Sequence, residues 1–248
     1  MTTLVQEEAQ ATSLRREPNS RQRGLLPKSQ PGAGDPCLVE SLGILGYQQA
    51  WDIQLGLVEK HQHDECADRL LLVEHPHTIT LGRNAHRDNI LAPAERLAQL
   101  GIECCETDRG GDVTYHGPGQ LVGYPIMHLA RWKRDVAAYL RALEEVLIRT
   151  LGEYGIEGER DEAATGVWVD GAKVAALGVH ISRWVTSHGF ALNISTDLGY
   201  FGHIIPCGLT RPVTSLERLL GSAPSRDEVT EHVVRHFGKV FERQMERQ

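Results

Sequence analysis

The chain has 248 residues, 41% of them hydrophobic, which suits one large domain or two small ones with a real core. Its net charge of −7 argues against general nucleic-acid binding, which depends on basic surface, so no nucleic-acid partner is expected. No apolar run approaches a membrane span and no leading segment has the form of a secretory signal, so no membrane partner is expected either. Five cysteines without a CxxC spacing (Cys37, Cys66, Cys104, Cys105 and Cys207) suit free thiols in a reducing cytoplasm.

Residues 1–36 are rich in Gln, Ser, Arg, Pro and Gly and show no apolar periodicity, so they read as a disordered extension. Glu7, Glu8 and Glu17 argue against an acid-poor mitochondrial presequence. Residues 37–248 read as a single globular domain. Cys37–Glu40 predicts a short strand, and the helix after it carries Tyr47, Trp51, Leu55 and Val58 at helical spacing. Leu70–Glu74 and Thr78–Leu81 read as strands, Pro93–Leu100 as a short helix, and Gly101–Thr107 as a further strand. Asp135–Tyr154 is the clearest helix, with Val136, Leu140, Leu143, Leu147 and Leu151 along one face. Val167–Val169 and Lys173–Ile181 flank Asp170-Gly171, a strong two-residue hairpin signal, and Trp184–Ile194 adds a third antiparallel strand. Asp197–Arg211 reads as a loop. Ser215 is placed to cap a helix through Leu220. Ser225 with Glu228 makes a capping-box pattern before a last helix whose inward residues are Val229, Val233, Phe237 and Val240. Hairpins together with interleaved helices predict an α/β (α+β) fold, a mixed sheet flanked by helices.

The most informative stretch is Arg109-Gly110-Gly111-Asp112-Val113-Thr114-Tyr115-His116-Gly117-Pro118-Gly119-Gln120. It combines four glycines and a proline with the hydrogen-bonding side chains of Arg109, Thr114, Tyr115 and His116, and an apolar strand follows it. Glycines permit close approach to the backbone, so the stretch reads as a pocket wall with a polar rim.

Two further residues could carry chemistry. Cys207, held in Pro206-Cys207-Gly208, has little freedom and a small neighbour whose N–H can face an oxyanion, which suits a nucleophile. The other four cysteines are expected to be inert and buried. Lys173 shares an alternating face with Ala175, Leu177 and Val179, a costly place for an ammonium unless it is paired, functional or snorkelling at the strand end. The pairs His61/His63, His75/His77 and His232/His236 lack a carboxylate or cysteine at ligand spacing, so no metal is expected. An acidic partner would need a local basic patch, and Arg131-Trp132-Lys133-Arg134 is the densest basic run.

The sequence resembles the octanoyltransferases of lipoate biosynthesis. The resemblance rests on Arg109–Gln120, Gly171-Ala-Lys-Val-Ala-Ala-Leu-Gly178, His188-Gly-Phe-Ala-Leu-Asn193 and Pro206-Cys-Gly208, in the family's order and across roughly residues 38–220. It implies a fold shared with the biotin and lipoate protein ligases, and transfer of an octanoyl group from octanoyl-acyl carrier protein to a lysine of a lipoyl domain. The acceptors it implies are the lipoyl domains of 2-oxoacid dehydrogenase E2 subunits and the glycine cleavage H protein. It further implies that Cys207 carries an acyl-thioester intermediate, that Lys173 lowers its pKa, and that no cofactor is needed. Arg109 to His116, Ala176-Leu177-Gly178 and Gly189-Phe190-Ala191 would line the acyl and pantetheine channel. The alternatives are an ATP-dependent lipoate–protein ligase, which needs no cysteine nucleophile, and a non-catalytic lipoyl or acyl-carrier binding module, which needs neither Cys207 nor Lys173.

Overall fold

The run Leu70-Leu71-Leu72-Val73 is apolar on both faces of its strand, and a strand of that kind needs cover on both sides. The computed structural model describes residues 34–63, 65–162, 164–205 and 211–248. They form β1 (Asp35–Ile44), α1 (Tyr47–Gln62), β2 (Asp68–Glu74), β3 (Thr78–Leu81), α2 (Ala94–Gln99), β4 (Glu103–Glu106), β5 (Val113–His116) and β6 (Gln120–Ile126). Then follow α3 (Val136–Gly152), β7 (Val167–Val169), β8 (Ala172–Ser182), β9 (Val185–Asn193), α4 (Leu216–Leu220), α5 (Arg226–Phe241) and β10 (Arg243–Arg247). The main sheet has the order β10-β1-β2-β6-β9-β8-β7, and a second sheet has the order β4-β3-β5. In the main sheet β1 runs parallel to β10 and β2, and the remaining neighbours are antiparallel.

Alternation along β2 assigns the two covers. Leu70 and Leu72 pack with Leu143, Val146 and Leu147 of α3 and Val233 and Phe237 of α5. Leu71 and Val73 face the other way, onto Ala50 and Leu57 of α1. The second sheet has its own core, in which Ile79, Leu81, Val113 and Tyr115 meet Leu97 of α2 and Phe201. Among the described residues no helix is long and apolar enough to cross a membrane.

Asp135 caps α3, its carboxylate accepting from Ala138 N at 2.9 Å, a bond worth about 1 kcal/mol. Ser215 caps α4 in the same way through Arg218 N. Ser225 stands at the start of α5 without a side-chain cap bond, so the capping box is not formed. The inward face of α1 also differs from expectation. Tyr47, Ala50, Gln54, Leu57 and His61 are buried, while Leu55 is 45% exposed. Two of those five inward side chains are polar, so apolar spacing alone points to the wrong phase. Of the four cysteines expected to be buried, Cys37 is; Cys66 and Cys105 are half-buried, and Cys104 is exposed on the edge strand β4.

The Asp170-Gly171 turn has φ values of 49° and 74°, both left-handed as a two-residue hairpin requires. A second such turn, Arg183-Trp184 (φ 50° and 68°), joins β8 to β9 without a glycine to announce it. β10 was also not expected, since Arg243-Gln-Met-Glu-Arg247 has no apolar alternation. It closes the edge beside β1 and pairs from Asp35, two residues before the strand start read from the sequence.

Three glycines let β6, β9 and β8 approach where the site lies. Gly178 and Gly189 are cross-strand partners, and Gly123 pairs with Phe190. A Cβ on Gly189 would stand 2.2 Å from Gly123 O and 2.7 Å from Pro125 Cδ. Those atoms are backbone and ring, and they cannot swing aside. Gly189→Ala is therefore expected to cost about 1–3 kcal/mol through overpacking, read as a lower Tm. The exposed Gly202, with nothing within 4 Å of its added Cβ, is the control, and Gly202→Ala should leave Tm nearly unchanged. Equal melting of both variants would mean that the strands can part at no cost.

Candidate active site

The site is built where β5 of the small sheet faces the main sheet. Alternation along β5 sends Val113 and Tyr115 into the small-sheet core and turns Thr114 and His116 toward a cavity. The opposite wall is formed by Val122 and Tyr124 of β6, His188 to Ala191 of β9 and Ala176 to Gly178 of β8, with Tyr47 of α1 at one side. A second cavity, sharing Thr114, Ala176 and Ala191 with the first, is lined also by Lys173, Gln120 and Asn193. Along β8 the lining therefore runs from Lys173 to Gly178, roughly 16 Å at the strand rise of about 3.3 Å per residue.

A chain of buried hydrogen bonds ties the two sheets together around it. The Thr214 carbonyl can only accept, so Asn193 Nδ2 donates to it at 3.0 Å. Asn193 Oδ1 then accepts from Gln120 Nε2 at 2.9 Å, which leaves Gln120 Oε1 to accept from His116 Nδ1 at 2.8 Å. His116 Nε2 is thereby the lone-pair nitrogen, and the Thr80 hydroxyl points to it at 3.4 Å. Thr80 Oγ1 in turn accepts from Arg109 Nε at 3.1 Å and from Nη2 at 2.8 Å. Arg109 also donates to the carbonyls of Thr80, Gly110 and Asp112, which fixes its loop against β3. Gly110 N donates to Val179 O at 2.9 Å, so the same loop borders β8.

A second buried group lies beside it. His188 has φ 56°, in the left-handed region, and its N–H is taken by Gln54 Oε1 of α1 at 2.7 Å. Its Nε2 donates to the Asp108 carboxylate at 2.6 Å, which leaves Nδ1 to accept from Tyr47 OH at 3.2 Å. The Leu45 carbonyl fixes His75 likewise: Nδ1 donates to it at 2.7 Å, and Nε2 accepts from Tyr124 OH at 2.7 Å. Burial pushes His116 down to about 3 and His75 down to about 4. Burial also lowers His188, winning over the adjacent Asp108 carboxylate. It raises Tyr47 to about 12. These groups are neutral near pH 7.

Lys173 departs from simple alternation. Val167 pairs with Ala175 and Trp168 with Lys173, so Val174 is an extra residue in β8, a bulge. Beyond it Ala175, Leu177, Val179 and Ile181 pack toward the α3–α5 side, as does Val174 itself. Lys173 instead lines the cavity with Ala176. It is 6% exposed, its Nζ donating to Thr165 O at 3.4 Å and lying 4.7 Å from the centroid of the Trp168 ring. The expected sharing of a face with Ala175 is thus corrected by one inserted residue.

The cavities are lined by Lys173, Arg109, Gly111, Thr114, His116, Ala176, Leu177, Gly178, Gly189, Phe190 and Ala191. Gly110, Asp112, Val113 and Tyr115 do not line them. The Asp112 carboxylate holds its own loop by accepting from His86 N, Val113 N and Asn89 Nδ2. Cys207 lies outside the described residues. Tyr47, His75, Val122, Tyr124 and His188 were not read as site residues. Of these, His188 opens one of the motifs and Tyr124 lies four residues after another, whereas Tyr47 and His75 stand far from every motif and carried no local signal. Within the basic run, Trp132 packs on Phe241, Lys133 lies 3.6 Å from Asp135, and Arg134 stands over Trp184 at the hairpin end remote from Lys173.

Residues 46–238 match the lipoyl protein ligase A/B catalytic domain family. The chain belongs to that family. Among its relatives is an octanoyltransferase of Solibacter usitatus, 58% identical over 209 residues that make up 84% of this chain and 94% of that one. The lipoate protein ligase of an archaeal lipoylation system from Thermoplasma acidophilum superposes with a TM-score of 0.68 at 15% identity, over 88% of this chain and 87% of that one. Biotin protein ligase from Aquifex aeolicus superposes with a TM-score of 0.50 at 13% identity, over 82% of this chain and 69% of that one. The expected biotin and lipoate protein ligase fold is therefore borne out, and the identity to octanoyltransferases over most of the chain places this family member among them.

The neutral histidines of this lipoyl-ligase-family site have a consequence for acid stability. In the unfolded chain they titrate near ~6.5, so between that pH and about 4 the unfolded state binds more protons. Stability should fall as pH falls through that window. Calorimetry at stepped pH is expected to show Tm declining below about pH 6.5, with a shallower decline in His116→Gln. A flat Tm down to pH 5 would rule out buried neutral imidazoles.

Proposed function

We propose that this protein is an octanoyltransferase that moves an octanoyl group from octanoyl-acyl carrier protein to a lysine of lipoyl domains through a thioester on Cys207. The observation that carries the reading is an apolar, glycine-walled space running along β8 and β9, with a buried lysine at one end. The high identity to a curated octanoyltransferase supports the same reaction. A buried C8 chain contributes about 0.8 kcal/mol per methylene, so such a channel favours an alkyl donor over a polar one.

In this reading the Cys207 thiolate attacks the donor thioester. The new C–S bond forms as the old one breaks, and the carrier thiol leaves with a proton. A free thiol titrates near ~8.5, and a neighbouring ammonium lowers it, which is the role given to Lys173. Support comes from residues close to the cysteine in sequence: Lys173 N donates to Pro212 O, and Thr214 N donates to Lys173 O, each at 2.9 Å. Residues 212–214, which follow Cys207 in the chain, thus run beside Lys173. The acceptor amine then attacks the enzyme thioester, a C–N bond replaces the C–S bond, and Lys173, neutral after proton donation, takes the amine proton.

Incubation with octanoyl carrier protein should add one octanoyl mass to the wild type, removable by hydroxylamine, and none to Cys207→Ala. Lys173→Met should slow loading more at about pH 6 than at about pH 9, where an unassisted thiol is largely ionised. Acyl adducts on Lys173 in place of Cys207 would overturn the mechanism. Transfer to an apo lipoyl domain should also proceed in excess EDTA without nucleotide, because the donor thioester is already activated. A strict requirement for ATP would make the chain a ligase.

A further inference from the structure

The described surroundings of Lys173 contain a buried carboxylate that the reaction above leaves unused. Glu144, on α3, is 1% exposed. One of its oxygens, Oε1, accepts from Gly166 N at 3.1 Å. The other, Oε2, accepts from Arg141 Nη1 at 2.8 Å, and Arg160 Nε lies 3.5 Å away. A buried carboxylate is costly without partners, and here both oxygens are committed, one to a pair of guanidinium groups and one to the backbone.

The backbone it holds is the segment that encloses Lys173. Gly166 has φ 144°, and a Cβ there would stand 2.9 Å from Ala175 O and 3.2 Å from Lys173 Cε. The lysine stem therefore passes directly against Gly166. The preceding residue, Thr165, supplies the carbonyl that accepts from Lys173 Nζ at 3.4 Å. On the other side the Trp168 ring lies under Nζ, and the Arg211 guanidinium stands 4.9 Å from the centroid of the same ring. Trp168 Nε1 donates to Ala164 O, which returns the ring to the segment that Glu144 anchors. The Gly166 amide is held by Glu144 from outside the segment, so loss of that bond would free Thr165 and Gly166 to move away.

We propose that Glu144 is a positioning residue for Lys173, acting through the Gly166 amide to hold the Thr165–Gly166 segment against the lysine. The inference rests on the catalytic role given to Lys173 for its kinetic consequence, but the placement of the lysine can be measured without any activity. Glu144→Ala removes the acceptor. Glu144→Gln keeps an acceptor oxygen for Gly166 N and discards the charge.

The first measurement is the rate of Lys173 acetylation by acetic anhydride, followed by peptide mass spectrometry, with the exposed Lys133 as internal control. Lys173 should be labelled several-fold faster in Glu144→Ala than in wild type, with Glu144→Gln restored toward wild type and Lys133 unchanged. The second measurement is steady-state transfer. Glu144→Ala is expected to lower kcat by about 10- to 100-fold with KM within about twofold, as a small misplacement of a catalytic group does. Glu144→Gln should recover most of that loss. The alanine change should have little further effect in the Lys173→Met background. Where Glu144→Ala fails to fold, Gly166→Ala is the second variant, and it should expose Lys173 to labelling with Glu144 intact. Equal Lys173 labelling in every folded variant would overturn the proposal, as would a glutamine variant as defective as alanine. Absence of octanoyl transfer in the wild type would sink the functional reading alone, since labelling still decides the placement.

Discussion

The directed hydrogen-bond chain from the Thr214 carbonyl to Arg109 is the constraint on which the site depends. Each member is buried, and a buried donor or acceptor left unpaired costs about 1–3 kcal/mol. The chain links β9 and β6 of the main sheet to β5 and β3 of the small one, so it fixes how the two sheets face one another. It also fixes the register of β5. A slip of one residue would turn Val113 and Tyr115 toward the polar seam and drive Thr114 and His116 into the small-sheet core. With one end set by a carbonyl, each proton position follows in turn, and the His116 tautomer is decided without reference to a ligand.

The bulge at Val174 does for charge what that chain does for register. Unbroken alternation would send the Lys173 ammonium into the core beneath α3 and α5, where an unpaired cation is very costly. One inserted residue turns it to the opposite face and leaves Val174 and Ala175 in the core. Bulges commonly re-aim side chains beside active sites, and this one lies at the strand pairing that also receives Val213 from the segment after Cys207.

Much of this was legible in the sequence, and the limits have physical causes. Arg109–Gln120 could be read as a wall because its glycines and donors are local features, and the Asp170-Gly171 hairpin because its turn type demands those residues. The inner face of α1 could not, because Gln54 is buried to accept from His188 N and His61 is buried beside the Asp68 carboxylate, and apolar spacing is blind to that. The Arg183-Trp184 turn adopts left-handed φ without glycine, so no residue type announces it. β10 is held by pairing with β1 and by the packing of Met245, in a strand whose exposed side is charged. A bulge is likewise invisible to alternation, which assumes that no residue is inserted. This is why Lys173 could be flagged as unusual and yet assigned to the wrong face.

The rings of the cavity do not make it a polar site. Tyr47, Tyr124, His75, His116, His188 and Arg109 each have hydrogen-bond partners within the protein, and the three histidines are held neutral by burial. A ligand would therefore meet satisfied rings, small side chains and glycine backbone along most of its length. The left-handed His188 fits the same logic. A strained residue persists where its surroundings over-determine it, and here Gln54, Asp108 and Tyr47 each hold one of its groups. The cost of that conformation is met by bonds that keep a polar ring from competing for the ligand. Lys173 at the other end breaks the symmetry. An amphipathic molecule lying along this cavity would be oriented by that difference, its alkyl part along the satisfied wall and its polar head toward the lysine.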